Sequence, residues 1–370
     1  MCGIFGGIAR HKFPERKQIF SALEKLTHRG PDASGVEIHP PVFLSHRRLS
    51  IIDIDSRSNQ PMKVGPLIIC FNGEIYNFKT LRNQLELRGV DFKTQSDTEV
   101  IAQLFLLDGV ECLNQFEGMF AFAIWDERTS KLTLARDKFG EKPVYYFQDK
   151  SNFCFASEIP AIESLIGMDT LKVDTEAINQ YFQLTYIPAP KSPYLNMFQI
   201  MPGSFLQFDL SSWKAQIFNY YKPQINIRNW SKNEAIESLQ YLLSNSVSLR
   251  ATTADVPVAT FLSGGVDSSI VTALASNAIS GGVRAYSIGF PEEPSFDESP
   301  YARMVAKHLP GIKHEVVGVT ESQLLDFTFK SLNKLGEPYA DSSLIPTAYL
   351  CSQIDEKVVL GGDAADELFA

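Results

Sequence analysis

The apolar positions of the chain follow two different patterns, one before and one after residue 208. The first part carries short apolar runs separated by turn residues, which is typical of strands that pair with their neighbours. Helical spacing of apolar positions occurs between some of these runs. The predicted strands, and then the predicted helices, are Cys2–Ile8, Val42–Ser45, Leu67–Asn72, Phe120–Asp126 and Lys131–Arg136, and Arg16–Thr27, Phe78–Arg88 and Thr98–Leu107. This pattern predicts antiparallel sheets covered by helices, an α+β domain.

From Ser231 onward, apolar strands alternate with helices. The helices, and then the strands, are predicted at Ser231–Arg250, Ser268–Ala278, Ser299–His308 and Glu321–Leu335, and at Pro257–Leu262, Val283–Phe290, His314–Val319 and Lys357–Gly361. Such alternation predicts an α/β domain with a parallel sheet, whose ligands bind beyond the carboxyl ends of the strands. The polar, aromatic and proline-bearing segment 209–230 is predicted to link a domain at 1–208 to a domain at 231–370.

Composition excludes several classes of function. The net charge of −9 disfavours a nucleic-acid or membrane-surface binder. No apolar run approaches the length of a membrane span, so a cytoplasmic enzyme is the default expectation. Four cysteines show neither a disulfide framework nor a zinc spacing, and we interpret them as small core residues: Cys70, Cys112, Cys154 and Cys351.

The fifth cysteine directly follows the initiator. Methionine is normally removed before a small residue, so the mature chain is expected to begin with Cys2. A terminal cysteine carries a thiol and a free α-amine on one residue, and the amine can accept the thiol proton. Taken alone, Cys2 is better explained as an incidental cysteine, and the motifs described below reverse this. A lipoprotein cysteine would need an apolar signal segment before it, and none is present.

A glycine turn follows the first predicted strand of the second domain. Its residues are Ser263, Gly264, Gly265, Val266, Asp267, Ser268 and Ser269. Two glycines allow backbone amides to approach an anion, and the helix that follows adds positive potential. No lysine follows the glycines, so this is not the loop that binds β- and γ-phosphates. The turn predicts a site for the pyrophosphate of ATP; the alternative is a helix cap on a flexible turn.

Further motifs occur in a fixed order in both parts of the chain. They are Cys2-Gly3-Ile4, Arg29-Gly30-Pro31-Asp32, Arg48-Leu49-Ser50-Ile51-Ile52-Asp53, Asn72-Gly73-Glu74-Ile75-Tyr76-Asn77, Ser96-Asp97-Thr98-Glu99, Arg136-Asp137-Lys138-Phe139-Gly140, Ser263–Ser269 and Gly361–Phe369. With these motifs the chain resembles the glutamine-hydrolysing asparagine synthetases over nearly its full length. The resemblance implies a class II glutamine amidotransferase domain with the four-layer αββα fold of N-terminal-nucleophile hydrolases. A Rossmann-like PP-loop ATP pyrophosphatase domain would follow it.

In the first domain, the resemblance implies that Cys2 attacks the side-chain amide of glutamine. Asn72 and Gly73 would form the oxyanion hole. Arg48 would bind the α-carboxylate of glutamine, and Asp97, helped by Glu74, its α-amino group. The loop residues of the same site would be Leu49, Ser50, Ile51 and Ile52. Arg48 and Asp97 could instead form a surface ion pair, and Arg29 and Asp32 are left outside the site.

In the second domain, the resemblance places ATP on the glycine turn, with Phe261 and Ile288 near the adenine. Gly361 and Gly362 are also expected to bind ATP. Phe261 and Ile288 could equally be sheet core. Mg²⁺ is expected at Asp267 and Asp363. The acceptor and pyrophosphate region would include those two aspartates with Asp366 and Glu367. Asp341-Ser342-Ser343 precedes a helix-like stretch and is a weaker candidate for the acceptor side.

The implied reaction uses glutamine, aspartate and ATP, with Mg²⁺ as cofactor. Cys2 would release ammonia from glutamine, ATP would adenylate the β-carboxylate of aspartate, and ammonia would displace AMP. The sequence predicts neither a nucleic-acid partner nor a membrane, and it leaves open the acceptor and the oligomeric state, for which a homodimer is one assembly. The alternatives are an amidotransferase for another carboxylate, a protein with glutaminase activity only, and a non-catalytic binding protein.

Two features depart from the family pattern. The usual Ser-Gly-Asp/Glu-Gly-x-Asp-Glu signature is Gly361-Gly362-Asp363-Ala364-Ala365-Asp366-Glu367 here. The sequence also stops at Ala370, whereas family members continue and carry there the lysine associated with adenylation. We therefore expect a fragment of a longer protein; the alternative is a natural truncation whose synthetase half is incomplete. No residue of this sequence is assigned that lysine's role.

Overall fold

The computed structural model describes residues 1–332 and 335–369. It separates into two compact units. The first comprises Met1–Gln224 together with Gly336–Tyr339, and the remaining described residues form the second. Within the described ranges, no helix combines the length and the apolar character that crossing a membrane requires.

The first unit contains two antiparallel sheets and five α-helices in the described residues. Its strands are β1 (Gly3–Ala9), β2 (Ala33–His39), β3 (Val42–Arg48), β4 (Met62–Val64), β5 (Leu67–Ile75), β6 (Gly118–Asp126), β7 (Lys131–Arg136), β8 (Tyr145–Gln148), β9 (Asn152–Ala156), β10 (Met197–Gln199), β11 (Ser204–Asp209) and β12 (Lys214–Asn219). Its α-helices are α1 (Arg16–Glu24), α2 (Phe78–Leu87), α3 (Asp97–Asp108), α4 (Ile159–Ile166) and α5 (Thr175–Leu184). Short 3₁₀ helices occupy Ser56–Ser58 and Gly109–Gln115.

The two sheets have the strand orders β10-β8-β9-β1-β3-β2 and β12-β11-β7-β6-β5-β4. The predicted hairpin between β6 and β7 is present, with Asp126 opposite Lys131. Strand β5 continues beyond the predicted end at Asn72 because Gly73, Glu74 and Ile75 still pair with β6. Ser96 caps α3, and its side chain accepts a hydrogen bond from the Thr98 N–H.

Three hydrophobic clusters stack these elements into four layers. One fills the space between the two sheets and includes Phe153 and Phe208, whose rings stack with centroids 4.4 Å apart. Another joins the outer face of the β1 sheet to α1 and α4. The third joins the outer face of the β5 sheet to α2 and α3. The layers therefore run helix, sheet, sheet, helix, which confirms the predicted αββα architecture.

The expected linker at 209–230 contains regular structure. Strand β12 at Lys214–Asn219 pairs with β11 at the edge of the second sheet, and the first unit extends to Gln224. Most residues of β12 are exposed, so the strand lacks the alternation of buried and exposed positions from which a strand is predicted. The strand forms because it pairs with β11, which its sequence pattern does not indicate.

The second unit is an alternating α/β arrangement. Its elements are α6 (Lys232–Thr252), β13 (Val258–Phe261), α7 (Val266–Ala278), β14 (Val283–Gly289), α8 (Ser299–His308), β15 (Ile312–Gly318), α9 (Glu321–Leu332), α10 (Leu344–Ser352), β16 (Val358–Leu360) and α11 (Ala365–Phe369). The last residues of the helix predicted at Glu321–Leu335 include positions outside the described ranges.

The sheet of the second unit is parallel, as predicted, with the order β15-β14-β13-β16. On one face Leu350 of α10 packs near Ala259 and Tyr286, and on the other face Ala302 of α8 packs near Leu262 and Ala285. Strand order reverses at β13, because β14 lies on one side of it and β16 on the other. A ligand of such a sheet binds outside the carboxyl ends at this reversal.

Candidate active site

Cys2 lies immediately before β1, beside the loop that follows β3. Its Sγ is 3.6 Å from the Leu49 carbonyl oxygen, and the Leu49 N–H points to Sγ at 3.4 Å. The residue is half-buried. The thiol is therefore held against the Arg48–Ile52 segment that the motifs singled out.

Burial sets the protonation of the groups around Cys2. It raises the pKa of the Cys2 thiol, and the Leu49 N–H and the nearby amino terminus only partly offset this. Burial lowers the pKa of the amino terminus to about 6, and the charges of Arg29 and Lys142 act in the same direction. In this chain the amine belongs to Met1. A neutral amine beside a protonated thiol is the combination in which the amine can take the thiol proton.

The side-chain amide of Asn72 is buried and makes no hydrogen bond to the described residues. The residue is 0% exposed, and neither its side-chain nitrogen nor its oxygen has a hydrogen-bond partner among the described residues. An unpaired buried amide is costly, and such groups persist where a ligand supplies the missing bond. Asn72 and Cys2 line the same cavity.

Phe71, the residue before Asn72, is held by hydrogen bonds at both its backbone N–H and its carbonyl. The Phe71 N–H donates to Gln60 Oε1 at 2.6 Å, and the Phe71 carbonyl lies 3.0 Å from His46 Nε2. Burial lowers the pKa of His46 to about 3, so the imidazole is neutral and can donate from Nε2. These two side chains limit movement of the backbone that carries Asn72.

Gly73 allows β5 to lie unusually close to β6. Its φ is +151°, and a Cβ at this position would be 2.0 Å from the Met119 carbonyl oxygen. Only a residue without a side chain fits there. The close approach fixes the three consecutive residues Asn72, Gly73 and Glu74 against the second sheet.

Arg48 is buried and bonded to the loop that follows it. Its Nη1 donates to the Asp55 carbonyl at 3.0 Å and to Asn59 Oδ1 at 2.7 Å. Its Nη2 donates to the carbonyls of Ile52 and Asp53. The residue is 5% exposed, and no ion pair joins it to a carboxylate in the described part of the chain. The surface ion pair considered as an alternative for Arg48 is therefore wrong.

Asp97 is the buried carboxylate of the same cavity. Its Oδ2 accepts a hydrogen bond from the Ile75 N–H at 3.1 Å. Burial raises the pKa of Asp97 to about 7, and the charge of Glu74 adds to this shift. An amino group placed between Asp97 and Glu74 would relieve the repulsion between the two carboxylates.

A cavity of about 50 Å³ brings most of the predicted glutamine-site residues together. It is lined by the predicted residues Cys2, Arg48, Leu49, Ile51, Ile52, Asn72, Gly73, Glu74 and Asp97. Ser50 does not line it, and its N–H donates to Asp32 Oδ2 at 2.8 Å. The lining residues that the sequence did not predict are Met1, Ser58, Gln60, Phe71, Ser96, Thr98, Met119 and Lys142.

A second cavity, of about 350 Å³, lies at the carboxyl ends of β13, β14 and β16. Its predicted lining residues are Phe261, Ser263, Gly265, Asp267, Ser268, Ile288, Gly361, Gly362 and Asp363. Those not predicted are Leu262, Tyr286, Ser287, Phe290, Phe296, Glu298, Ser299, Pro346, Thr347 and Leu350. Gly264, Ser269, Asp366 and Glu367 do not line it, and the last two lie in the first turn of α11.

The glycine turn is ordered by its own hydroxyl groups. The Ser263 N–H donates to Ser268 Oγ at 3.2 Å, and the Gly265 N–H donates to Ser263 Oγ at 3.2 Å. Gly264 has a φ of +91°, and a Cβ there would be 2.6 Å from backbone atoms of Tyr301 and Ala302. The turn is thus packed against the start of α8, and α7 begins directly after Gly265.

Three carboxylates line the second cavity, the predicted Asp267 and Asp363 and, in addition, Glu298. Among the described residues, no three His, Cys, Asp or Glu side chains are grouped as a metal site. Mg²⁺ bound with nucleotides usually takes one or two carboxylates and completes its shell with phosphate oxygens and water. The donor set therefore fits a nucleotide-associated Mg²⁺ better than a site made of protein ligands alone.

Comparison with known families divides the chain at a similar place. Residues 1–221 match the family described as glutamine amidotransferase domain, and residues 238–370 match the family described as asparagine synthase. A putative glutamine-hydrolysing asparagine synthetase 2 of Methanocaldococcus jannaschii is 33% identical over 394 residues. That similarity covers 100% of this chain and 75% of the relative.

Glutamine-hydrolysing asparagine synthetase 1 of Bacillus subtilis is 31% identical to this chain. The similarity covers 100% of this chain and 58% of the relative. A putative enzyme of the same description from Mycobacterium bovis is 33% identical, with 100% and 60% covered. This chain spans about three fifths to three quarters of these relatives.

This chain belongs to the family of glutamine-hydrolysing asparagine synthetases.

Several cavity-lining residues of this asparagine synthetase family member were not predicted from the sequence motifs. Gln60, Met119 and Lys142 reach the first cavity from separate segments of the chain, so no local spacing connects them with Cys2. The Arg136–Gly140 motif that precedes Lys142 was the only nearby signal. In the second cavity, Thr347 and Leu350 come from α10, which the sequence showed only as a helix-like stretch.

The packing of Gly264 predicts an unequal cost for two glycine substitutions in the asparagine synthetase-like second unit. Gly264→Ala combines positive φ with a collision against α8, whereas Gly281→Ala has a φ of +90° and open space around its Cβ. We expect Gly281→Ala to lower the free energy of unfolding by about 1 kcal/mol and Gly264→Ala by about 2–4 kcal/mol. Native-state hydrogen exchange of the α7 amides measures both. Equal losses would contradict the close packing on α8.

Proposed function

We propose that the protein is a glutamine-dependent amidotransferase that makes asparagine from aspartate. The observation that carries this proposal is the unpaired, fully buried amide of Asn72 in the cavity that contains Cys2. A core asparagine would be bonded to its neighbours. An unpaired asparagine amide beside a nucleophile can donate a hydrogen bond to the negative oxygen of an acyl-transfer intermediate.

The glutaminase half of the proposal begins with removal of Met1. The Cys2 α-amine takes the proton of the thiol, and Sγ attacks the side-chain carbonyl carbon of glutamine. The Asn72 side chain and the Gly73 N–H donate to the developing oxyanion. The amine returns its proton to the leaving nitrogen, ammonia departs, and water hydrolyses the remaining thioester to glutamate.

Glutamine is proposed to bind with its charged end in the inner part of the cavity. Its α-amino group would lie between Asp97 and Glu74, both of them buried carboxylates. Arg48 stabilises the Leu49–Asn59 loop through its four hydrogen bonds and places positive charge on the wall of the cavity. An α-carboxylate near the guanidinium would use that charge.

The synthetase half of the proposal uses the second cavity. The pyrophosphate of ATP would lie on the Ser263–Ser269 turn at the start of α7, where backbone amides and the helix dipole favour anions. Phe261 and Ile288 line the same cavity and would contact the base. Mg²⁺ near Asp267 and Asp363 would offset phosphate charge. The aspartate β-carboxylate attacks the α-phosphate, pyrophosphate leaves, and ammonia displaces AMP from the acyl adenylate.

The glutaminase step is tested with two substitutions in the first cavity. Cys2→Ala removes the nucleophile, so glutamate release is expected to fall to background. Asn72→Ala removes one oxyanion donor, so kcat is expected to fall about 10²- to 10³-fold with little change in KM. Asn114→Ala, an exposed asparagine of the same unit, is the matched control and should retain full activity. Unchanged glutamate release in Cys2→Ala would eliminate the proposal in favour of a non-catalytic binding protein.

The raised pKa of Asp97 predicts a pH-dependent KM for glutamine. Ionised Asp97 attracts the substrate ammonium group, and protonated Asp97 does not. Because the pKa is about 7 in the empty site, KM is expected to rise as pH falls below that value, up to tenfold for each further pH unit. Steady-state glutamate release between about pH 5 and pH 9 measures this. Asp97→Asn should show a high KM that is constant over the same range, and a falling KM at low pH in the unmodified chain would refute the role of Asp97.

The acceptor is tested by AMP formation in the natural gene product. With aspartate, ATP and glutamine, we expect one AMP for each asparagine, because adenylation precedes attack by ammonia. AMP formation with another carboxylic acid but not with aspartate would assign the protein to the related amidotransferases for other carboxylates. Glutamate release without AMP from any acid would reduce the function to that of a glutaminase.

A further inference from the structure

Lys142 is a buried cation in the wall of the first cavity, and the proposed reaction does not use it. The residue is 7% exposed and lines the cavity together with Cys2, Glu74 and Met119. Burial of a lysine is unfavourable unless its charge has a partner or a task. Lys142 therefore calls for a physical explanation.

The Arg136–Gly140 motif positions the backbone of Lys142. Arg136 Nε donates to the Lys142 carbonyl at 2.9 Å, and the Lys142 N–H donates to Asp137 Oδ2 at 3.0 Å. Asp137 also accepts hydrogen bonds from the N–H groups of Phe139 and Glu141, so one carboxylate orders the whole turn. Arg136 and Asp137 thus both hold the backbone of Lys142, whose side chain lines the cavity.

The ammonium group of Lys142 faces the amino terminus. Its Nζ lies 3.3 Å from the Met1 Sδ, and a thioether is only a weak acceptor. Across the part of the chain that the structure describes, no carboxylate lies within ion-pair distance of this Nζ. Removal of Met1 takes away the thioether and creates a new amine, on Cys2, in its vicinity.

The other cation near the amino terminus is paired. Arg29 donates from Nε to the Cys2 carbonyl at 2.8 Å, and its Nη1 forms an ion pair with Glu158 at 2.6 Å. Its charge is therefore largely balanced by a carboxylate. Among the described residues, Lys142 has no carboxylate at ion-pair distance. Burial lowers the pKa of Lys142, and the charges of Glu141, Glu74 and Asp137 raise it, which favours the charged ammonium.

We propose that Lys142 is an electrostatic positioning residue of the glutaminase site, whose ammonium group keeps the Cys2 α-amine in its neutral, proton-accepting form. Two positive charges in one buried site repel each other, so the amine releases its proton more readily than in water. This inference rests on the proposed glutaminase function. It adds a specific role for a residue that does not contact the reacting carbonyl.

The remaining groups that face the amine do not remove this effect. Burial is the largest cause that lowers the pKa of the amino terminus, and Arg29 and Lys142 act in the same direction. The Cys2 thiol and Glu74 raise it. Of these groups, only Lys142 can be replaced without altering the nucleophile, the proposed substrate site or the Glu158 ion pair.

The amine itself can be titrated without enzymatic activity. In a Cys2→Ala background, cyanate carbamylates the unprotonated α-amine, and trypsin then releases residues 2–10, a peptide that contains no lysine. The initial rate at which this peptide becomes carbamylated, measured by mass spectrometry at a series of pH values, gives the titration midpoint of the α-amine. We expect a midpoint below the ordinary value of about 8 in the background, and about one pH unit higher when Lys142→Met is added. Lys142→Arg keeps the charge and should leave the midpoint unchanged.

Lys138→Met is the matched control, because it removes a positive charge from the same turn at a residue that does not line the cavity. It should not move the midpoint. In the chain that retains Cys2, Lys142→Met should move the acid limb of the kcat–pH profile to higher pH by the same amount. Glutamate release would then fall about tenfold below the midpoint and equal that of the unmodified chain at high pH.

An unchanged midpoint in Lys142→Met would overturn the proposal, and so would a midpoint of about 8 or higher in the background alone. The second measurement needs no variant of Lys142, so it decides the matter even if circular dichroism shows Lys142→Met to be unfolded. The amine titration is also independent of glutaminase activity. A shifted midpoint in a chain that releases no glutamate would therefore refute the proposed function and not the role of Lys142.

Discussion

The close approach of β5 and β6 at Gly73 is the constraint on which the first site depends. A Cβ at Gly73 would lie 2.0 Å from the Met119 carbonyl, so the two strands can meet there only because the side chain is missing. Asn72 and Glu74 flank this point, and both face the cavity that contains Cys2. The hydrogen bonds of the Phe71 N–H to Gln60 and of the Phe71 carbonyl to His46 hold the residue next to Asn72.

Burial then gives the chemical groups of this cavity their properties. The same desolvation raises the pKa of the Cys2 thiol and of Asp97, and lowers that of the amino terminus and of His46. In each case the neutral form is favoured, because charge is poorly solvated between the sheets. The cavity is therefore suited to chemistry that begins with neutral partners and stabilises charge only as it forms.

The second unit uses a different principle, in which local chain geometry provides the site. The Ser263–Ser269 turn, the start of α7 and the Gly361-Gly362 segment are brought together by the parallel sheet. Their hydroxyl and amide groups can bind an anion without any buried charge, and Asp267 and Asp363 are added at the edge. One chain thus combines a desolvated cavity around Cys2 with an open, polar cavity whose groups suit an anion.

The sequence by itself determined the features that depend on neighbouring residues. It showed the order of motifs around Cys2, Asn72 and Asp97, the glycine turn, the β6–β7 hairpin and the alternation that makes the second sheet parallel. These signals are local, because turns, caps and strand alternation are properties of a few consecutive side chains. The exposed strand β12 was not predicted, because it is formed by pairing with β11 and not by a local pattern of side chains.

Only the tertiary structure decided which groups are charged and which distant residues share a cavity. Lys142 stands 140 positions after Cys2 and reaches it only because the turn after β7 folds back to the start of β1. Gln60 and His46 likewise meet at Phe71 from different strands and loops. A pKa depends on how much water and how many charges surround a group, and that surrounding exists only once the two sheets have packed together.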